Sequence, residues 1–159
     1  MKIDMNQLVV FLVRAKTQTY AGDGKEIDPQ RPGFRELEFR EGDFEYRDSY
    51  AGFFFAPGQE VVRFRGEPIW AMAYSGGMHS KYHGNREFAL QTFGFLKEAL
   101  KRVDVSRPFR GTEFFDNGDW IYRDASQGDI TDFIGTEHIL HKGHEVFRQH
   151  YIGGLIVSQ

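Results

Sequence analysis

The sequence predicts an α+β protein in which a unit of one helix followed by four antiparallel strands occurs twice. The first observation is internal similarity, because residues 58–77 (GQEVVRFRGEPIWAMAYSGG) match residues 135–154 (GTEHILHKGHEVFRQHYIGG) without gaps. The second is that each stretch has the pattern of a β-hairpin: a strand, a tight turn at a basic residue followed by glycine, and a second strand. We therefore expect a single domain, residues 1–159, made of two repeats (1–77 and 78–159) that pack about a pseudo-two-fold axis. Whether their strands form one sheet or two is left open.

Two helices are predicted, one at the start of each repeat. Asp4 is a candidate N-cap, and apolar residues recur at helical spacing from there to about Lys16. Asn85 is the candidate N-cap of the second helix, whose apolar stripe reaches Val103. Between the first helix and the strands, residues 17–33 (TQTYAGDGKEIDPQRPG) lack any period and are predicted to form a long loop, a lid over a ligand or a solvated segment.

Alternating apolar and polar residues between turn signals predict the strands. The predicted hairpins span residues 37–50, 58–77, 114–123 and 137–151. The pair Gly76-Gly77 is expected to end the second hairpin, and the polar stretch 124–132 (DASQGDITD) is expected to be a loop.

Composition excludes several classes of function. A chain of 159 residues with a formal charge of −3 has no linear basic patch, which argues against a nucleic-acid partner. The absence of cysteine removes disulfides, thiol catalysis and thiolate metal sites. The apolar run near the N-terminus is short and has no cleavage site after it, so a cytoplasmic, soluble protein without a membrane partner is expected.

No motif of a known enzyme class is complete. Ser75 lacks the first glycine of a nucleophile elbow, and the segment 22–25 lacks the rest of a phosphate loop. Histidines concentrate in the second half, but His138 and His141 fall on opposite faces of a strand. That spacing does not provide the ligands of a zinc site, so no metal and no cofactor are predicted.

The tripeptide Tyr-Arg-Asp occurs in both halves, at residues 46–48 and 122–124. Adjacent residues of a strand point to opposite faces, so its Arg and Asp cannot easily form an acid–base pair. We interpret the tyrosine as a core position flanked by strand-end hydrogen bonds.

An ordered series of short segments over nearly the whole chain resembles a bacterial and archaeal family of uncharacterised domains. These segments are Thr19-Tyr20-Ala21-Gly22, Arg31-Pro32-Gly33, Glu41-Gly42-Asp43, Asp48-Ser49-Tyr50-Ala51-Gly52, Gly58-Gln59-Glu60-Val61-Val62, Trp70-Ala71-Met72-Ala73-Tyr74, Arg107-Pro108-Phe109-Arg110-Gly111 and Gly118-Asp119-Trp120. Members of that family occur alone or behind an Xre-type helix-turn-helix domain, and they have no agreed activity. The resemblance implies a sensing or interaction module and transfers no catalytic residue.

The leading functional hypothesis is a module that binds a small molecule, based on the aromatic surplus, the long loop and the resemblance. The candidate ligand-binding residues are Tyr20, Lys25, Arg31, Tyr50, Trp70, Met72, Tyr74 and Trp120. Trp70, Met72 and Tyr74 alternate onto one strand face, which is either a pocket wall or core. Two alternatives stay open. One is a hydrolase or isomerase that uses His or carboxylates near residues 17–33, and the other is a homo-oligomeric interaction protein, such as a homodimer with residues 53–55 (FFF) at its interface.

Overall fold

The computed structural model describes residues 4–158 and shows one antiparallel sheet with two helices on one of its faces. The helices are α1 (Met5–Gln18) and α2 (Arg86–Leu100), and a short 3-10 turn at Ser80–Tyr82 precedes α2. The strands are β1 (Glu26–Ile27), β2 (Arg35–Glu41), β3 (Phe44–Tyr50), β4 (Gly58–Phe64), β5 (Glu67–Met78), β6 (Phe114–Asn117), β7 (Trp120–Asp129), β8 (Asp132–His141) and β9 (His144–Leu155). No helix within residues 4–158 is long and apolar enough to cross a membrane.

The nine strands lie in the order β1-β2-β3-β4-β5-β9-β8-β7-β6, and every neighbouring pair is antiparallel. The two longest strands, β5 and β9, pair with each other at the centre of the sheet. In that pairing Tyr74 lies opposite Tyr151. Both halves of the chain therefore contribute to one inner face, meaning the face that the helices cover.

The predicted α+β fold, with a helix plus four strands duplicated as two packed halves, is wrong. The protein is mainly β, with two helices against a single sheet. The physical reason is the hydrogen-bonded pairing of β5 with β9, which runs from Trp70 opposite Leu155 to Met78 opposite Phe147. This ladder joins all the strands into one sheet, so there are no two halves to pack about an axis. The additional strand β1 extends the same sheet at its edge.

Both predicted helices are confirmed, together with their caps. The Asp4 carboxylate accepts a hydrogen bond from the Asn6 backbone N–H at 2.9 Å, and the Asn85 side chain accepts one from Phe88 N–H at 3.1 Å. Each bond satisfies a backbone donor that has no partner within the first turn of its helix. Each helix then buries its apolar stripe against the inner face.

Three segment boundaries differ from the prediction. Part of the expected loop 17–33 is helix up to Gln18 and strand at Glu26–Ile27. The pair Gly76-Gly77 continues β5 instead of ending it, because both residues pair with β9, opposite Gln149 and Arg148. Glycine is needed here, since a Cβ on Gly77 would lie 2.1 Å from the Phe54 carbonyl oxygen. The stretch 124–132 is mostly strand, since β7 runs to Asp129 and β8 starts at Asp132.

The core consists of two clusters on the inner face. One joins α1 to the central strands and contains Leu8, Phe11, Leu12, Tyr46, Val62, Trp70, Met72, Tyr74 and Tyr151 among others. The other joins α2 to the later strands and contains Leu96, Ala99, Leu100, Tyr122, Ile139 and Phe147. Each helix is therefore held mainly by apolar burial, which is the dominant favourable contribution to folding.

Two glycines allow tyrosine rings to lie flat across neighbouring strands. Gly58 pairs with Tyr74 and Gly135 pairs with Tyr151. A Cβ at Gly135 would lie 2.1 Å from Tyr151 Cζ, and one at Gly58 would lie 2.4 Å from Tyr74 Cζ. The missing side chains leave the space through which both tyrosines reach the aspartates described below.

We expect Gly135→Ala to lower the free energy of unfolding by about 1–3 kcal/mol, because its methyl group displaces the Tyr151 ring from a packed position. Gly94→Ala is the control, since Gly94 lies in α2 with nothing within 4 Å of an added Cβ. That change should raise the free energy of unfolding by about 0.5–1 kcal/mol through helix propensity. Urea unfolding followed by tryptophan fluorescence measures both, and equal effects would contradict the proposed role of Gly135.

Candidate functional site

A cavity of about 320 Å³ lies between the inner face of the sheet, α2 and the segment that follows α1. Tyr20, Asp23 and Gly24 come from that segment, and Phe93 and Leu96 come from α2. The volume falls at the lower end of the range for sites that hold small organic molecules. The cavity is thus formed where the two core clusters meet, because it borders Tyr74 of one and Leu96 and Phe147 of the other.

The wall of the cavity is mostly apolar and aromatic. Its members include Leu37, Tyr50, Phe53, Leu90, Phe93, Leu96 and Phe147. Around the rim, two ion pairs bring opposite charges together: Lys97 with Asp23, and Arg35 with Glu26 at 3.7 Å. The Lys97–Asp23 pair also connects α2 to the segment after α1 across the cavity, and Lys97 lies 5.0 Å from the centre of the Tyr20 ring.

Buried polar side chains contribute the rest of the lining. Asp48, Tyr74 and Gln149 are each at most 9 % exposed, and Arg110 accompanies them with a side chain that is 10 % exposed. They belong to a buried network on the inner face whose acidic members are Asp48 (β3), Glu60 (β4), Asp124 (β7) and Glu137 (β8). In the sheet, Asp48 lies opposite Glu60, and Asp124 lies opposite Glu137.

Three cations approach these carboxylates from outside the sheet. Lys16 of α1 donates to Glu60. Arg110 donates from Nε and Nη2 to Glu137 Oε1, at 3.0 and 2.8 Å, and its Nη1 lies 3.6 Å from Glu60 Oε1. Buried charges are tolerated where they are paired and hydrogen-bonded, and these two cations meet that condition.

The third cation, Arg107, lies beside Asp124. Its Nη2 donates to Asp124 Oδ2 at 3.4 Å and to Ser126 Oγ at 3.0 Å. Its Nη1 is a buried atom without a hydrogen-bond partner among residues 4–158. Arg107 and Arg110 come from the same short segment between α2 and β6. Their ion pairs with Asp124 and Glu137 therefore hold this segment against the sheet.

Tyrosine hydroxyls complete the network. Tyr74 donates to Asp48 Oδ1 at 2.6 Å, and Tyr151 donates to Asp124 Oδ1 at 2.8 Å. Tyr122 donates to Glu137 Oε2 at 2.7 Å and accepts a hydrogen bond from the Gly111 backbone N–H at 3.1 Å. These bonds to charged acceptors are stronger than bonds between neutral groups, and they hold each ring in place.

Burial, followed by the charge of Glu60, raises the pKa of Asp48 to about 7, although Tyr74, Arg110 and Lys16 act in the opposite direction. Burial and the charge of Glu137 likewise raise the pKa of Asp124 to about 7. Burial lowers the pKa of Lys16, and its pairing with Glu60 offsets part of that effect. The network therefore holds carboxyls that exchange protons near neutral pH.

The structure brings three of the eight predicted ligand-binding residues to the cavity, namely Tyr20, Tyr50 and Tyr74. Trp70 and Met72 are fully buried in the core cluster that joins α1 to the central strands. Trp120 stacks on His141, with their ring centres 4.2 Å apart. Lys25 is exposed, as is Arg31, which donates to Gln59 at 3.1 Å. These last five residues lie outside the cavity lining. That any of the eight binds a ligand stays a prediction.

The histidines lie elsewhere. His79 and His138 both contact Glu145, at 2.6 and 2.5 Å. Burial acts to raise the pKa of Glu145, but hydrogen bonds from Arg148, His138 and His79 lower it to about 2. Within the described part of the chain, no group of three or more His, Asp or Glu side chains is arranged to hold a metal ion.

Sequence reasoning missed Asp48, Glu60, Glu137, Arg110 and Gln149 as members of a site. A signal for three of them was present, because each carboxylate is two residues from a core residue on the same strand. Asp48 is in phase with Tyr46, Glu60 with Val62, and Glu137 with Ile139. A charged residue in phase with a buried apolar face is unusual and marks a paired or functional group. No local signal marks Arg110, which lies outside every predicted helix and strand, just before the predicted hairpin at residues 114–123.

Fold and site together define a mainly β protein. Between its one antiparallel sheet and the helices lies a cavity with an apolar wall and several buried polar side chains. Residues 48–156 match a family described as a domain of unknown function, DUF5680, and the chain belongs to that family. No curated protein and no solved structure matches the chain significantly. The resemblance to an uncharacterised family is confirmed to this extent.

We expect Asp48→Asn to become more stable relative to the natural protein as pH rises. With its pKa raised from 3.8 to about 7, Asp48 keeps its proton in the folded state at pH values where the unfolded chain has lost it. Its contribution to stability is complete below about pH 4 and is lost as pH rises through about 7. The full loss is about 4 kcal/mol, of which roughly 3 kcal/mol falls between pH 5 and pH 8, and an amide, which does not titrate, escapes it.

The measurement is urea unfolding of both proteins between about pH 5 and pH 8. The stability difference between variant and natural protein should grow over this interval. Asp116→Asn, at an exposed position of β6, is the control for the chemical change itself. A difference for Asp48→Asn that stays constant with pH would refute the raised pKa.

Proposed function

We propose that the protein binds a small organic molecule in the cavity between the sheet and α2. The observation that supports this proposal is the combination, in one space of about 320 Å³, of aromatic walls with buried Asp48, Tyr74 and Gln149 and with Arg110, whose side chain is 10 % exposed. A few placed polar groups within an apolar lining are typical of ligand sites.

The rim is consistent with entry of a ligand. Leu90 is 52 % exposed and lines the cavity, so the space opens to solvent beside α2. The Lys97–Asp23 pair lies at this rim, with the Asp23 side chain 68 % exposed to solvent. Exposed ion pairs contribute little to stability, so this contact can open at small cost.

Acid–base catalysis on the bound molecule is a second candidate. The observation in its favour is Asp48, a cavity carboxyl whose pKa of about 7 suits a general acid or base near neutral pH. Asp23 and Glu26, from the segment that the sequence pointed to, also line the cavity. A ligand recovered chemically unchanged after long incubation with the protein would favour binding alone.

An interaction between two copies of the chain stays a prediction. In the run at residues 53–55, Phe53 and Phe54 pack inward. The centre of the Phe53 ring lies 5.5 Å from that of Phe93, and the centre of the Phe54 ring lies 5.5 Å from that of His83. Phe55 is 52 % exposed and is the residue of the run available to a partner.

We expect the neutral probe 2-naphthalenemethanol to bind with one-to-one stoichiometry in isothermal titration calorimetry. Leu90→Trp should weaken this binding at least about fivefold, because the larger side chain takes up space at the cavity rim. Val10→Trp is the matched control, since Val10 is also a helical apolar residue, 40 % exposed, but lies outside the lining. Absence of binding to the natural protein, or equal weakening by both variants, would count against the cavity as the site.

A further inference from the structure

The network contains two aspartate–tyrosine pairs that differ in one respect. Asp48 accepts from Tyr74, and Asp124 accepts from Tyr151, at 2.6 and 2.8 Å. Both aspartates are 4 % exposed, and each lies opposite a buried glutamate on the neighbouring strand. The two carboxyls thus have the same kind of neighbours within the sheet.

Only Asp124 has a cation as a direct partner. Arg107 donates to it and lies within ion-pair distance at 3.4 Å. Asp48 forms no ion pair with any lysine, arginine or histidine among residues 4–158. The two cations whose charges act on Asp48, Lys16 and Arg110, are paired with Glu60 and Glu137 instead.

Asp48 faces the cavity, and Asp124 does not. The carboxyl without a cationic partner is therefore the one that a bound molecule can reach. Across the whole network, four carboxylates face three cations, so one positive charge is missing when all the carboxyls are ionised.

We propose that the ligand of this cavity carries a protonated amine, which pairs with Asp48 as Arg107 pairs with Asp124. Its remaining body is an apolar group of one or two rings that contacts the aromatic wall. This inference rests on the proposed function, since it names the class of molecule that the cavity takes.

The surroundings of Asp48 suit a cation. The ring of Tyr50, two residues along the same strand face from Asp48, lines the cavity, whereas the Tyr20 ring already has the Lys97 ammonium 5.0 Å from its centre. Aromatic faces attract ammonium groups, and more strongly where water is excluded. The other cations that line the cavity are already neutralised: Arg110 by Glu137, Lys97 by Asp23 and Arg35 by Glu26.

Three probes with the same ring test the proposal by isothermal titration calorimetry at about pH 8, where Asp48 is largely ionised. They are 2-naphthalenemethylamine (a cation), 2-naphthalenemethanol (neutral) and 2-naphthoate (an anion). We expect the amine to bind about tenfold or more tightly than the alcohol, because a hydrogen bond between charged groups in a buried site is strong. The anion should bind most weakly.

Asp48→Asn should remove the preference for the amine, lowering its affinity to about that of the alcohol. Asp124→Asn is the matched control, since it removes a carboxyl with the same tyrosine contact outside the cavity lining. It should leave the preference for the amine intact. Because both variants keep a side chain of the same size, comparing them separates the charge at the cavity from a general effect on the network.

The results separate this proposal from the one on which it rests. Equal binding of amine and alcohol, or tightest binding of 2-naphthoate, would overturn the cationic ligand and leave small-molecule binding intact. A preference for the amine that survives in Asp48→Asn would also overturn it. Failure of all three probes to bind would overturn both proposals.

Discussion

Pairing of buried charge on the inner face is the constraint on which the rest of the structure depends. Four carboxylates point from the strands into the space beneath the helices, where an unpaired charge would cost several kcal/mol. Lys16 brings α1 to this face, and Arg107 and Arg110 bring the segment before β6. Apolar packing supplies most of the burial, and the ion pairs connect α1 and the segment before β6 to particular strands of the sheet.

The same network gives the cavity its chemical character. Tyr74 crosses Gly58 to reach Asp48, and the hydroxyl and carboxyl are thereby held at the edge of the space. Arg110 is held there by Glu137, and Gln149 donates to the same carboxylate at 3.0 Å. Polar groups that are already oriented lose little entropy when a ligand arrives, which favours binding. Structural support and the candidate site are thus made of the same residues.

The family match covers most of the candidate site but not all of it. It spans residues 48–156, which includes Asp48, all the carboxylates of the network, Arg110 and α2. The segment that lies outside the match holds α1 with Lys16, and also Tyr20 and Asp23 at the cavity. The carboxylate face therefore belongs to the matched domain, and one cation and part of the cavity wall come from the residues before it.

The sequence by itself determined the local features: both helices with their caps at Asp4 and Asn85, and the hairpins, because these depend on neighbours a few residues away. It also carried a signal for the buried carboxylates, since Asp48, Glu60 and Glu137 keep the phase of the core. Only the tertiary structure decided that β5 pairs with β9, because nothing local chooses between one sheet and two. It also decided that Arg107 reaches Asp124 while Asp48 meets a cavity, since a long-range ion pair depends on where distant segments of the chain pack.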